Sequence, residues 1–132
     1  VVVLYAAAWL AAAATAQAQR PVASTADPDS ARRLYAALLA ADSSDSRAAF
    51  RLAELTPDPD RAVALYRRYV ALEPDDPWGH MALGDALGRV GRYRAALAAY
   101  AAAERLAPKE RDVAVGRARL HAQAGHTEAA IR

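Results

Sequence analysis

The chain has 132 residues, 55% of them hydrophobic, with a formal charge of +2 and no cysteine; that is about one domain's worth of polypeptide. The missing cysteine excludes disulfides, thiolate nucleophiles and Cys-type zinc sites. Arg is mixed with Asp and Glu along the chain without a block of like charge, which disfavours nucleic acid or an anionic membrane surface as partner. Few residues are aromatic or β-branched and many are Ala or Arg, so the chain is expected to be all-α.

Val1 to Ala14 is nearly all apolar and is followed by Thr15-Ala16-Gln17-Ala18-Gln19. A helix of that apolar length spans only about 21 Å, short of the roughly 30 Å hydrocarbon core, so no transmembrane span is expected. The pattern predicts an export signal over residues 1–18, with cleavage after Ala16 or Ala18. No basic segment and no initiator Met precede it, which places the true start upstream unless Val1 is itself the initiator. An Ala-rich helix of a preceding repeat is the alternative reading. Residues 19–27 lack apolar periodicity and read as a linker.

Helices then follow a repeated device. Asp27-Pro28, Asp58-Pro59 and Asp76-Pro77 each set a capping carboxylate before a proline whose fixed φ suits the first helical position. The spacing predicts helices over 28–41, 46–56, 59–72, 77–89, 93–106 and 110–124, and another from 127 onward after a turn at Gly125. Pro74 and Pro108 stop two of them, and the short connections predict antiparallel neighbours. The acidic cluster Asp42-Ser43-Ser44-Asp45-Ser46 lacks the glycine and glutamate of a calcium loop and reads as helix capping.

Leu83 to Pro108 organises the rest. Leu83, Gly84, Leu87, Gly91, Tyr93, Ala96, Leu97, Tyr100, Ala103 and Pro108 fall on the slots of a tetratricopeptide (TPR) helix pair, which this stretch resembles; only the first turn departs, with His80 in the usual tryptophan slot. Gly84 and Ala96 are small where two helices cross closely, and Leu87, Leu97 and Tyr100 are expected to fill the seam. Thirty-four residues earlier stand Ala62, Tyr66 and Pro74, and the same step forward reaches Ala118, Gly125, Ala130 and Ile131. Ala31, Leu34, Tyr35 and Ala41 stand 31 residues before Ala62, Leu65, Tyr66 and Leu72, which locates a three-residue deletion at the Thr56–Asp60 turn. The resemblance implies an antiparallel helix-pair solenoid, a right-handed superhelix of about two full repeats with partial repeats at both ends. The units fall near 28–43, 46–74, 77–108 and 110–132. The last is incomplete, so the chain is expected to be part of a longer product, with open ends suited to self-association.

No catalytic, cofactor-binding or metal site is expected. His80, His121 and His126 lack ligand spacing, and Gly84, Gly88 and Gly91 have no phosphate-loop context. What remains is a surface. In TPR arrays the first helix of each pair lines the concave face, and carrying those slots across implies a protein- or peptide-binding groove of Arg47, Phe50 and Glu54, then Trp78, Met81, Asp85 and Arg89, then Val115, Arg119 and Gln123. The slots that hold Lys and Asn in clamps for chaperone tails carry Met81, Asp85, Val115 and Arg119, so that mode is not expected. Three functions fit: an exported scaffold in the bacterial periplasm or cell envelope, the periplasmic repeats of an outer-membrane exopolysaccharide secretion protein, or the docking module of an enzyme whose catalytic domain lies outside these residues.

Overall fold

The computed structural model describes the backbone of residues 27–131 and the side chains of residues 27–125. The expected export signal, and the linker up to residue 26, lie outside the described residues. Among the described residues six helices follow one another: α1 (Pro28–Ala41), α2 (Ser46–Leu55), α3 (Pro59–Leu72), α4 (Pro77–Arg89), α5 (Tyr93–Leu106) and α6 (Arg111–Ile131). Each packs on the next, and α4 also touches α6, as expected when antiparallel pairs stack side by side. Among the described residues no helix is long and apolar enough to cross a membrane.

The helix starts follow from the aspartates. Asp27 accepts from the Asp29 amide at 3.0 Å and Asp45 from the Ala48 amide at 2.9 Å. Asp58 and Asp76 do the same for Asp60 and Trp78 at 3.1 and 3.0 Å. Each satisfies an amide that the helix itself leaves without a partner. Hydroxyl and amide donors hold the carboxyls of Asp27 and Asp42 below their ordinary range, Ser30 leading at the first and Ser44 at the second. The acidic cluster after α1 is thus capping chemistry, with Asp42 folding the turn and Asp45 opening α2.

α5 starts differently, without a side-chain cap. The turn before it is set by Gly91 at φ +74°, where the Arg92 amide reaches back to Leu87 O at 2.9 Å and the Gly91 amide to Gly88 O at 3.1 Å. That pair of bonds closes α4 in a Schellman motif, which a left-handed residue makes possible.

The expected turn at Gly125 is not formed. α6 runs unbroken for 21 residues through Gly125 to Ile131, and Gly91 is the one glycine with positive φ among those described. A glycine inside a helix costs only about 1 kcal/mol relative to alanine. Reversing the chain at Gly125 would have to be offset by packing, and nothing lies within 4 Å of its Cβ position. After Gly91, by contrast, α5 brings Ala96, Ala99, Tyr100 and Ala103, all buried.

The main core runs from Ala53 through Val63, Tyr66, Leu87, Ala96 and Tyr100 to Val113 and Leu120, and a smaller one joins Leu39, Ala48 and Ala49 between α1 and α2. It is made largely of alanine, which lets the helices approach closely, so tyrosines supply the bulk. Tyr100 is 1% exposed and its ring is pinched between two glycines. A Cβ on Gly84 would lie 2.7 Å from its Cδ2, and one on Gly116 would lie 2.5 Å from its Cε1 and Oη. Gly79 stands in the same relation to Tyr69, with 2.5 Å to Cε1. Gly84 and Ala96 meet as the crossing requires, the Gly84 Cβ position being 3.3 Å from Ala96 O.

Candidate peptide-binding groove

Helices α2, α4 and α6 carry the expected groove residues in matching register. A shift of 31 from α2 to α4 superposes Arg47, Phe50 and Glu54 on Trp78, Met81 and Asp85, and a shift of 34 from α4 to α6 superposes Met81, Asp85 and Arg89 on Val115, Arg119 and Gln123. Two rows therefore run across the three helices. Phe50, Met81 and Val115 form an apolar row; Glu54, Asp85 and Arg119 form a charged one.

Three openings lie along this face. Between the starts of α2 and α4, Arg47, Phe50, Arg51, Tyr69, Asp76 and Trp78 line a groove of about 360 Å³. Between α4 and α6, Met81, Asp85, Asp112, Val115 and Arg119 line about 270 Å³. Where α4 ends, Asp85, Arg89, Tyr93, Arg119, Leu120 and Gln123 surround about 760 Å³. Nine of the ten residues expected at the groove line these openings; the tenth, Glu54, is exposed and accepts from Arg51 at 2.9 Å.

Burial divides them further. Trp78 is 45% and Val115 55% exposed. Phe50 and Met81 are half-buried and pack against the core, so each presents only part of its surface to the groove. Phe50 meets Tyr66 and Tyr69 edge-on, with ring centroids 5.5 and 4.9 Å apart, the geometry aromatic quadrupoles favour. Tyr69 in turn donates to Asp76 Oδ2 at 2.5 Å. Burial, followed by that carboxylate, pushes the Tyr69 hydroxyl up to about 12.

Asp85 is the centre of the groove's polar chemistry. Its Oδ1 accepts from the Tyr100 hydroxyl at 2.5 Å and from Arg119 Nη2 at 2.9 Å, so one carboxylate ties α4 to both α5 and α6. Burial, then the bond to Asp85, raises the Tyr100 hydroxyl well above its ordinary value, and burial does the same for Tyr66. The hydroxyls thus stay protonated donors across the physiological range. His80 Nε2 lies 2.8 Å from Pro74 O. No group of three metal-ligating side chains occurs among the described residues.

Sequence reasoning missed two features. Tyr93 joins the wall of the largest opening; its place in the repeat marked it as structural, and only the approach of α6 shows it beside Arg89. A further cavity of about 660 Å³ lies between α1 and α3, over Leu52 and Thr56, with Arg32, Arg33 and Arg61 at its edge. No periodic signal marks it; Thr56, Pro57 and Asp58 of the turn that carries the three-residue deletion are part of its wall.

No protein-family model matches the chain, and no curated protein matches it. Solved structures do. MamA superposes with a TM-score of 0.70 at 24% identity, over 75% of this chain and 60% of that one. PcrH, crystallised in complex with the chaperone-binding region of PopD, gives 0.59 at 18% identity over 80% and 81%. The Yersinia enterocolitica type III secretion chaperone SycD, in complex with a peptide of the translocator YopD, gives 0.61 at 17% over 80% and 82%. The chain spans about 60% of the length of the MamA chain it matches. These are all TPR-like helical-repeat proteins, and the fold of this chain is accordingly a TPR-like, all-α helical repeat.

Proposed function

We propose that this protein is a non-enzymatic protein–protein interaction scaffold that takes a peptide or partner helix into the face formed by α2, α4 and α6. The observation that carries this reading is the set of openings between these helices: Arg47, Phe50 and Trp78 line the one between α2 and α4, Met81 and Val115 the one between α4 and α6, and Arg89 and Arg119 the one where α4 ends. Partly exposed aromatic, Met and Arg side chains are the types that carry binding energy at interfaces. Two solved structures of the same fold, PcrH and SycD, hold segments of partner proteins, which supports a peptide as the ligand class.

A displayed random dodecapeptide library panned on the immobilised protein tests the reading. Peptides should be enriched, and their binding should fall at least tenfold, about 1.4 kcal/mol, on a Met81→Asp, Val115→Asp double variant that retains its helical circular dichroism. Enriched peptides that bind the double variant equally well, or no enrichment at all, would refute it.

The apolar segment over residues 1–18 supports export to a bacterial periplasm or cell envelope. Expression of the full reading frame in a Gram-negative host should give a periplasmic protein whose mature amino terminus follows Ala16 or Ala18. A cytosolic protein retaining the apolar segment would overturn this part.

A further inference from the structure

The cavity between α1 and α3 shares no wall residue with the three openings of the groove. Leu52 and Leu65, which also pack against the small core of Leu39, Ala48 and Ala49, give it an aliphatic floor together with Ala36 and Ala64. Arg32, Arg33 and Arg61 stand in its wall against a single carboxylate, Asp58, whereas each opening of the groove holds at most two arginines. That carboxylate is committed to the start of α3, where it accepts from the Asp60 amide at 3.1 Å. Asp29 holds Arg32 at 2.6 Å, and Arg33 donates to Ser30 Oγ at 3.1 Å. Arg61 is exposed and makes no ion pair among the described residues.

The floor has little to offer a polypeptide backbone. Thr56 Oγ1 donates to Leu52 O at 2.6 Å, Asp58 O accepts from the Ala62 amide at 3.0 Å, and Pro57 carries no amide. A peptide laid there would bury amides of its own without partners, which is costly for each group. An aliphatic tail needs no partners and gains from every methylene removed from water. At the edge, a guanidinium meets the two oxygens of a carboxylate in a fork. The volume of about 660 Å³ is that of a small-molecule site.

We infer that this cavity binds an aliphatic carboxylate of the fatty-acid class, with its head at Arg33 and Arg61 and its tail over Leu52 and Leu65. The site is independent of the peptide groove, so either can fail without the other.

Titration of the full chain with the fluorescent fatty acid dansylaminoundecanoate tests it. Emission should rise and shift to the blue on binding, and octanoate should displace the probe about tenfold better than butanoate, since its extra methylenes reach the floor. Octanol, with the same tail and no charge, should compete about tenfold more weakly than octanoate. The Arg33→Gln, Arg61→Gln double variant should bind the probe about tenfold more weakly than the wild type. Ala36→Glu, which sets a second carboxylate in the wall at an exposed helical position, should weaken it as well, and both variants should keep the wild-type helical circular dichroism. The Met81→Asp, Val115→Asp variant should bind the probe as the wild type does. No binding, or octanol competing as well as octanoate, overturns the proposal. So does affinity that survives Arg33→Gln, Arg61→Gln and is lost on Met81→Asp, Val115→Asp, which would put the probe in the peptide groove.

Discussion

Replacing Gly116 with alanine probes the packing on which the groove depends. The new Cβ would lie 2.5 Å from Tyr100 Cε1 and Oη and 2.7 Å from Cζ, where carbon contacts settle near 3.5–4.0 Å. The ring would have to move by about 1 Å, yet its opposite edge already meets the Gly84 position and its hydroxyl is held by Asp85. Overpacking of this kind costs about 1–3 kcal/mol, and disturbing a hydrogen bond to a charged group about 1.5–3 more. Alanine's better helix propensity returns about 1 kcal/mol. The net is a loss of about 1.5–5 kcal/mol, or a fall of roughly 6–25 °C in Tm for about 100 ordered residues, read by thermal circular dichroism. Gly125→Ala is the matched control on the same helix: nothing lies within 4 Å of its Cβ position, so it should raise stability by up to about 1 kcal/mol. A Gly116→Ala protein as stable as the wild type would refute the glycine-pinched placement of Tyr100.

Ala96→Trp should cost several kcal/mol, about 3 or more, because Ala96 is fully buried at the α4–α5 crossing; an unchanged denaturant midpoint would count against that crossing. Tyr66, Tyr69 and Tyr100 all have hydroxyls raised above the ordinary value, Tyr69 to about 12. The folded state therefore holds their protons more tightly than the unfolded chain, so this contribution to stability is complete below pH 10 and is lost as pH rises toward 12 and beyond. Tyrosinate absorbance should show part of the native tyrosine titrating late, and a single transition near pH 10 would contradict it. Arg119→Ala should change stability by no more than about 1 kcal/mol, since its pair with Asp85 is largely solvated, while weakening peptide capture; chemical denaturation and anisotropy separate the two effects.

The helical framework was legible because its signals are local. Asp-Pro starts, the Gly91 turn and the 34-residue recurrence each act within one turn of helix or one repeat, and five helices end within a residue of the pattern's forecast. Gly125 misled because glycine permits a turn without requiring one, and only packing by a following helix makes the reversal favourable. At the groove, the repeat slots found the facing helices but not the contacts between them. Asp85 and Arg119 stand one full repeat apart, so their pairing was implicit in the spacing, yet nothing in the sequence says that Tyr100 shares the same carboxylate. Phe50 and Met81 occupy groove slots and also support the core, a division of one side chain between two roles that periodicity cannot express. The cavity between α1 and α3 needed the structure, because its wall combines residues distant in sequence, from Arg32 and Ala36 through Leu52 and Thr56 to Arg61 and Leu65.

The central claim is that α2, α4 and α6 together form the ligand face. Amide chemical-shift mapping of the isotope-labelled protein with the tightest library-selected dodecapeptide tests it most directly. The account predicts perturbations concentrated at Arg47, Trp78, Met81, Arg89, Val115 and Arg119, with the Trp78 indole N–H among the largest. Perturbations centred instead on Arg33, Arg61 and Ala64, in the cavity between α1 and α3, would contradict it.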